Sequence, residues 1–409
     1  MFFFYNLLFY LLHPFLLIFL KFRVMIGKED KERYIEKIGY TKCVSPGVIW
    51  FHVASLGEIK SIHPIIKFYQ NKNLEILITS VTLSSYEYFK NNLEDKNTYH
   101  QYAPIDSPII ISKFLKLWKP RLAIFVESEI WPNMIMQASR NCKLILLNCR
   151  ISKKSFRRWK LIKKVFKKIL NKFDVILAQG EVSSKYLEYF EVKNIKQIGN
   201  IKFINSKKKD PNLIKINSNN NNKWAAMSVH LKEFDKIIKA HIELKKIKKK
   251  ITTFIIPRHL NKVDEMIKIV NKHNISYQEI SKNYVVGDLD GVVILDKYGL
   301  ADDIFNQINI VFMGGSLIDR GGQNPIEPLR YNCKILSGKF IDNFTEIYQD
   351  LIDKKLVTIV QNNDELVSKL IEFFNQRFIT TDNQPKIVFK SFSDEIFDKT
   401  IKFLNNYIH

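Results

Sequence analysis

Short, almost wholly apolar runs recur along this chain, each closed by glycine, serine or acidic residues and followed by a stretch with helical spacing. That alternation leaves few folds open. Strands separated by helices pair in parallel, and parallel strands buried on both faces read as continuous apolar runs. The first series is 48–53, 75–81, 122–126, 143–148 and 175–179. The second is 224–227, 252–256, 292–295, 309–313 and 334–336. Between them, 206–222 is rich in Lys and Asn and has no periodicity, which predicts a linker. At 409 residues the chain is also too long for one ordinary core. The expectation is α/β, with two Rossmann-like parallel sheets and ligands held beyond the carboxyl ends of the strands.

The stretch 311–328, VFMGGSLIDRGGQNPIEP, is the most informative of these strand ends. Gly314 and Gly315, then Ser316, let the backbone turn sharply and let a ligand approach it closely. Gly321 and Gly322 follow, before Gln323, Asn324 and Pro325. Asn324 is a good N-cap and Pro325 a good first helical residue, which predicts a helix from Pro325 whose free amides suit a phosphate. Glu327 in its first turn suits a ribose hydroxyl. The plainer alternative is a strand-to-helix connection whose glycines only turn the chain.

The net charge of +23 points to anionic partners: nucleic acid, a membrane surface or a phosphorylated substrate. The Lys-, Asn- and Ile-rich composition fits an AT-rich genome equally well. Cys43, Cys142, Cys149 and Cys333 form no CxxC pair and no metal spacing with histidine, so a reducing compartment without zinc is expected.

Residues 1–20 are apolar for about the length a bilayer-spanning helix needs, interrupted by Asn6, His13 and Pro14. Lys21, Arg23 and Lys28 follow, so the positive-inside rule puts the remainder in the cytoplasm. The charge follows the apolar run and no small-residue cleavage site closes it, unlike a signal peptide. An uncleaved anchor, spanning or lying in the interface, is expected. A helix packed on the protein is the alternative, less favoured because the run is apolar on all sides. Residues 156–173 predict one basic helix, with Phe156, Trp159, Ile162, Phe166, Ile169 and Phe173 on one face. Arg157, Arg158, Lys160, Lys164, Lys167 and Lys168 lie on the other, either solvated or against an anionic membrane.

Several motifs occur in order over nearly the whole chain: SLGE at 55–58, ESEIWPN at 127–133, NCRIS at 148–152 and GNIKF at 199–203. Ser228 with His230, PRH at 257–259, GGSL at 314–317, the 321–328 segment and Asn343-Phe344 continue the series. Together they resemble the Kdo transferase family, which attaches 3-deoxy-D-manno-octulosonic acid (Kdo) to lipid A precursor from CMP-Kdo. The resemblance implies a GT-B fold, two Rossmann-like domains facing a cleft, with an N-terminal membrane anchor at the inner membrane. Its expected divisions are an anchor at 1–24, an acceptor domain at 25–205, a linker at 206–222, a CMP-sugar domain at 223–390 and a final helix at 391–409. The chain departs from the family at Gln323 and at Ile204, where histidine and aspartate are usual, at Ser85, near a usual glycine, and at Leu231-Lys232, where the family is more acidic.

The resemblance implies inverting, metal-independent transfer with no cofactor, and it gives Glu58 the role of general base. At a helix N-terminus Glu58 is expected to stay ionised and to be a weak base. Glu127 and Glu129 are candidates for holding the acceptor or stabilising positive charge on the donor ring. Candidate substrate or CMP contacts are Ser55, Gly57, Arg150, Ser228, His230, Pro257, Arg258, Gly314, Gly315, Ser316, Gln323, Asn324 and Glu327. For Glu58, Glu127 and Glu129 the plainer alternative is a first-turn helix cap, for Arg258 a surface ion pair, and for His230 a structural histidine. Expected partners are CMP-Kdo, lipid A precursor and the anionic inner-membrane surface, without nucleic acid. Two rival functions remain: another GT-B nucleotide-sugar enzyme, or a basic membrane- or nucleic-acid-binding protein, the last of which requires base-stacking aromatics among its basic residues.

Overall fold

The structure is a computed structural model that describes residues 2–41, 45–204, 213–217, 222–248, 250–375 and 384–408. Cys43 and most of the expected linker lie outside the described residues. The chain divides into two compact units, Met1–Ser206 with Ser393–His409, and Lys207–Phe392.

Helices α1 (Phe2–Leu12) and α2 (Leu16–Met25) come first, joined by a 3-10 turn at His13–Phe15 where Pro14 interrupts the α pattern. The first unit then builds a seven-stranded sheet from β1 (Ile49–His52), β2 (Ile76–Ser80), β3 (Thr98–Tyr102), β4 (Leu122–Val126), β5 (Lys143–Cys149), β6 (Val175–Ala178) and β7 (Ile195–Gln197). The order is β3-β2-β1-β4-β5-β6-β7 and every pairing is parallel. Trp50, Ala123, Phe125, Leu144 and Leu146 pack one face of this sheet against α5 (Pro108–Trp118), α6 (Pro132–Ala138) and α8 (Lys163–Leu170). Of the intervening helices, α3 (Leu56–Gln70) and α4 (Leu83–Asn92) follow β1 and β2, α7 (Lys153–Lys160) precedes α8, and α9 (Glu181–Tyr189) follows β6.

The basic segment 156–173, expected as one helix, is thus two, broken at Leu161-Ile162. The break lets Trp159 stack on Phe166 with ring centroids 4.2 Å apart. The last helix, Gln384–Ile408, ends on the first unit. There a side chain at Gly199 would meet Ile396 at 2.9 Å.

The second unit has β9 (Lys223–Val229), β10 (Thr252–Pro257), β11 (Tyr277–Glu279), β13 (Gly291–Ile294), β14 (Ile310–Met313), β15 (Lys334–Gly338) and β16 (Val357–Val360). Their order is β11-β13-β10-β9-β14-β15-β16, again all parallel. Part of the expected linker is ordered: β8 (Lys215–Ile216) pairs with β12 (Val285–Val286). Helix α10 (Leu231–Ile247) follows β9 and buries Phe234, Ile237 and Leu244 against the sheet.

Candidate active site

In the first sheet, chain order reverses between β1 and β4, which are neighbours. Such a reversal opens a crevice at the carboxyl ends of the two strands. Glu58 follows β1 there, and Glu127 and Glu129 follow β4.

Ser55 caps the start of α3, and Glu58 reaches back to it in a variant of the capping box. The Glu58 amide donates to Ser55 Oγ at 3.3 Å, and the Glu58 carboxylate accepts from the Ala54 amide at 2.7 Å and from Ser55 Oγ at 3.0 Å. The capping alternative therefore describes its contacts. It does not describe its acidity. Burial, supplemented by the nearby Glu127 and Glu129 carboxylates, pushes Glu58 up to about 7 despite the opposing Ala54 and Ser55 hydrogen bonds. The expectation of a firmly ionised, weak base is thus corrected. Desolvation and like charge outweigh the helix terminus and raise its basicity toward neutral pH.

Glu127 sits at φ 59° and Asn148, at the end of β5, at φ 58°. Both are left-handed positions that cost non-glycine residues free energy and often mark functional sites. Asn148 Oδ1 accepts from the Ile201 amide at 3.1 Å. That bond fixes the turn from which Lys202 reaches the Glu127 carboxylate at 2.5 Å. Glu129 takes the Trp131 indole N–H at 2.7 Å and faces His52 Nε2 at 3.6 Å. Burial works against its ionisation, yet His52 and Trp131 prevail and hold Glu129 below the usual carboxylate range. The environments push two neighbouring carboxyls in opposite directions: Glu58 toward proton acceptance, Glu129 toward fixed negative charge.

His52, Asp106 and Lys202 were not singled out by sequence reasoning. His52 is buried at the end of β1, and its Nδ1 lies 2.9 Å from Thr79 Oγ1. The Trp50 indole N–H donates to the same oxygen at 2.8 Å. The Thr79 proton is then free for Nδ1, which leaves Nε2–H facing Glu129. Asp106, buried in a proline-flanked loop, accepts from the Asn133 amide at 3.0 Å, the Met134 amide at 2.7 Å and Tyr5 Oη at 2.8 Å. It fixes the end of the ESEIWPN stretch, and burial raises it to about 6. Arg150 follows β5, and its carbonyl accepts from Ser128 Oγ at 2.6 Å. Gly57 lies in the first turn of α3.

The second sheet reverses between β9 and β14. Ser228 (φ 55°) lies at the end of β9 and His230 follows it, Pro257 ends β10 ahead of Arg258 and His259, and the glycine loop follows β14. The His230 and His259 rings meet edge-to-face at 5.6 Å. Burial, then the positive fields of His259, Arg320 and Arg258, lower the pKa of His230. A Cβ at Gly314 would lie 2.7 Å from the Met227 and Ser228 carbonyl oxygens, and one at Gly315 3.3 Å from the His230 ring. These two glycines therefore serve close packing of the loop on β9 and His230. Gly321 and Gly322 adopt φ of 75° and 70°, and the Gly322 amide ties the second pair to the first by donating to the Gly315 carbonyl at 3.0 Å.

The amides of the first glycine loop are already taken within the fold. The carboxylate of Glu233, fully buried in the first turn of α10, accepts from Gly315, Ser316 and Leu317, the last two at 3.1 and 2.8 Å. Ser316 is committed inward as well: its hydroxyl donates to the Met313 carbonyl and accepts from the Gly338 amide at 2.7 Å. The expected helix from Pro325 is only a four-residue turn, Ile326–Leu329, in which Asn324 Oδ1 accepts from the Ile326 amide at 3.2 Å. The Gln323 carbonyl accepts from Tyr348 Oη at 3.0 Å, and Glu327 is exposed.

Nucleic-acid binding through stacked bases finds no support in the basic segment. Trp159 stacks on Phe166, and Phe156 lies flat on Tyr186 at 4.1 Å. Those faces are used inside the fold. Among the described residues, no group of three or more His, Cys, Asp or Glu side chains is placed to hold a metal ion.

Comparison with known proteins accords with this architecture. Residues 31–205 match the family model described as 3-Deoxy-D-manno-octulosonic-acid transferase (kdotransferase). A 3-deoxy-D-manno-octulosonic acid transferase of Rickettsia bellii is 30% identical over 98% of this chain and 99% of its own length. Its counterpart in Haemophilus influenzae is 28% identical over 90% of each chain. Among solved structures, Anabaena Alr3699/HepE in complex with UDP superposes with a TM-score of 0.55 at 11% identity, covering 88% of this chain and all of that one (100%). The two parallel sheets and this likeness give the GT-B fold class. With near-complete coverage by a relative at 30% identity, the chain belongs to the 3-deoxy-D-manno-octulosonic acid transferase family.

Proposed function

We propose that this chain is a glycosyltransferase of lipopolysaccharide biosynthesis that moves Kdo from CMP-Kdo to a lipid A precursor, with inversion and without a metal ion. The observation that carries the mechanism is Glu58, raised to about 7 beside Glu127 and Glu129. A lipid sugar hydroxyl attacks the anomeric carbon as the bond to the CMP phosphate breaks. The electron pair of that bond leaves on CMP, and the hydroxyl proton passes to Glu58. Glu129, held ionised, opposes the positive charge that develops on the donor ring. His52 and Trp131 position Glu129, and Lys202 positions Glu127.

Donor recognition in this reading rests on the second unit. Arg258, Arg320 and His259 set up a positive field around His230 that suits the phosphate and carboxylate of CMP-Kdo. Glu327 is the candidate for the ribose hydroxyls, and Gln323 and Asn324 supply neutral polar groups beside it. Gly314, Gly315 and Ser316 act through shape, because Glu233 already holds their loop. The main body is proposed to work on the cytoplasmic face of the inner membrane.

The test is incubation of the full chain with CMP-Kdo and lipid A precursor, with mass spectrometry of the lipid. A mass increase of one or more Kdo units is expected. An unmodified lipid, with folded protein that binds CMP, would overturn the reading.

A further inference from the structure

The exposure of α1 and α2 alternates with helical period along their whole length. Tyr5, Asn6, Phe9, His13, Leu16, Leu20, Arg23 and Val24 are half-buried or buried. The steps between these positions keep to one stripe, and that stripe lies against the first unit. The opposite stripe, Phe4, Leu8, Leu11, Phe15, Ile18 and Phe22, is exposed and wholly apolar. Both ends are fastened. Tyr5 Oη donates to the buried Asp106 carboxylate, which also holds the start of α6. At the other end, Arg23 pairs with Glu29 at 2.7 Å, Glu29 pairs with Lys37 at 2.5 Å, and Lys37 donates to the Val81 carbonyl at 3.1 Å.

From this geometry we infer that the apolar N-terminal helices do not cross the bilayer but lie flat in one leaflet, docked along the first unit. Tyr5 and Arg23 are about 27 Å apart along a helix at 1.5 Å per residue. In a spanning helix that length would cross nearly all of the roughly 30 Å hydrocarbon core. Tyr5 would then stand at the far side of the membrane from Asp106. The observed contacts at both ends need Asp106, Glu29 and the whole helix on one side. The occupant of the exposed stripe is a lipid leaflet, for two reasons. Its side chains are long, apolar and uninterrupted by charge, and the exposed Lys21 and Lys28 close one end with charges that suit anionic headgroups. The helices read as a spanning segment in sequence because the exposed stripe is wholly apolar and the docked stripe adds only Asn6, His13 and Arg23 among apolar and aromatic residues. One is matched to protein and the other to lipid.

The inference rests on the membrane association proposed above, and its test separates the two. The full chain carries one epitope tag at each end and is expressed in a Gram-negative host. Sealed spheroplasts are treated with protease, and both tags are expected to stay protected until lysis. Cleavage of the N-terminal tag outside while the body stays protected overturns the flat placement and leaves membrane association intact. In parallel, Phe4→Gln, Leu11→Gln and Ile18→Gln are combined. This variant should lose at least five-fold of its sedimentation with inner-membrane vesicles while keeping its soluble-domain fold by circular dichroism. Unchanged sedimentation, or a parent chain that never sediments with membranes, overturns the lipid contact itself. Neither readout depends on Kdo transfer.

Discussion

The carboxylate of Glu233 holds the amide of Leu317 at 2.8 Å, across more than eighty positions of sequence. With the Gly315 and Ser316 amides it fills a concavity that an external anion would otherwise enter. A buried carboxylate at a set of converging amides is the same chemistry as a bound phosphate, supplied from within. The glycine loop is thereby fixed before any nucleotide arrives. Burial, opposed by those three amides and Lys236, still leaves Glu233 raised above the usual carboxylate range.

Glu233→Gln should therefore be costly although it is nearly isosteric. One amide oxygen replaces two carboxylate oxygens, and an NH2 group is brought against backbone donors. A buried donor left without a partner costs about 1–3 kcal/mol. Urea unfolding should show a loss of that order, with weaker CMP binding by calorimetry. Parent-like stability and affinity would mean that the loop holds its shape without this carboxylate.

Glu58→Gln tests the base. Transfer at saturating donor should fall roughly 10²- to 10⁴-fold, the usual range for a lost general base. CMP affinity should stay near that of the parent. Glu327→Gln is the contrasting variant, with weakened donor binding as its main effect. Transfer by Glu58→Gln within a few-fold of the parent would move the role to Glu127 or Glu129.

The pH dependence follows from the same carboxyl. Glu58 must be deprotonated to accept a proton, so the parent rate should rise with pH through about 7 and then level. The stability sign is opposite. Its folded pKa lies above the unfolded value, so the native state binds more protons between the ordinary carboxyl range and about 7, and the Glu58 contribution to stability falls as pH rises through that window. Glu58→Gln should flatten that part of the stability profile, as read by thermal unfolding from pH 5 to 8. An unchanged slope would mean that Glu58 titrates normally.

Gln323→His restores the residue usual in the resembled family. The Gln323 carbonyl already accepts from Tyr348, so the backbone is held independently of the side chain. The variant should remain active, with any gain in donor affinity larger at acidic pH, where imidazolium adds charge to the hydrogen bond. Complete inactivity of a folded variant would show a different loop geometry.

The basic pair α7 and α8 gives a separable membrane test. Lys163 and Lys167 pair with Glu191, so reversing them would also break ion pairs. Lys154, Arg158 and Lys164 are exposed, as is Leu161 between the helices. Changing these three cations to Glu should weaken binding to anionic vesicles, at roughly 1 kcal/mol per basic residue near the surface. Vesicle binding equal to the parent would leave this face merely solvated.

The central strands were legible in the sequence because burial on both faces demands unbroken apolar runs, as in Leu122–Val126. The edge strands Thr98–Tyr102, Ile195–Gln197 and Tyr277–Glu279 escaped, since an edge needs no such run. Glu58, Glu127 and Glu129 were visible as acids after strands. The sequence alone could not show that β1 and β4 are neighbours, and adjacency is what adds the Glu127 and Glu129 charges to the burial that raises Glu58 and lets His52 face Glu129. A glycine loop announces a turn and a close approach without naming what fills it, and an apolar run announces a membrane-like surface without naming which of its side chains meet protein. Local composition determined strands, turns and helices through steric and hydrophobic rules that act over a few residues. Only the tertiary structure decided that Glu233 fills the loop and that Tyr5 fastens the helix to Asp106, because both contacts join positions far apart in the chain.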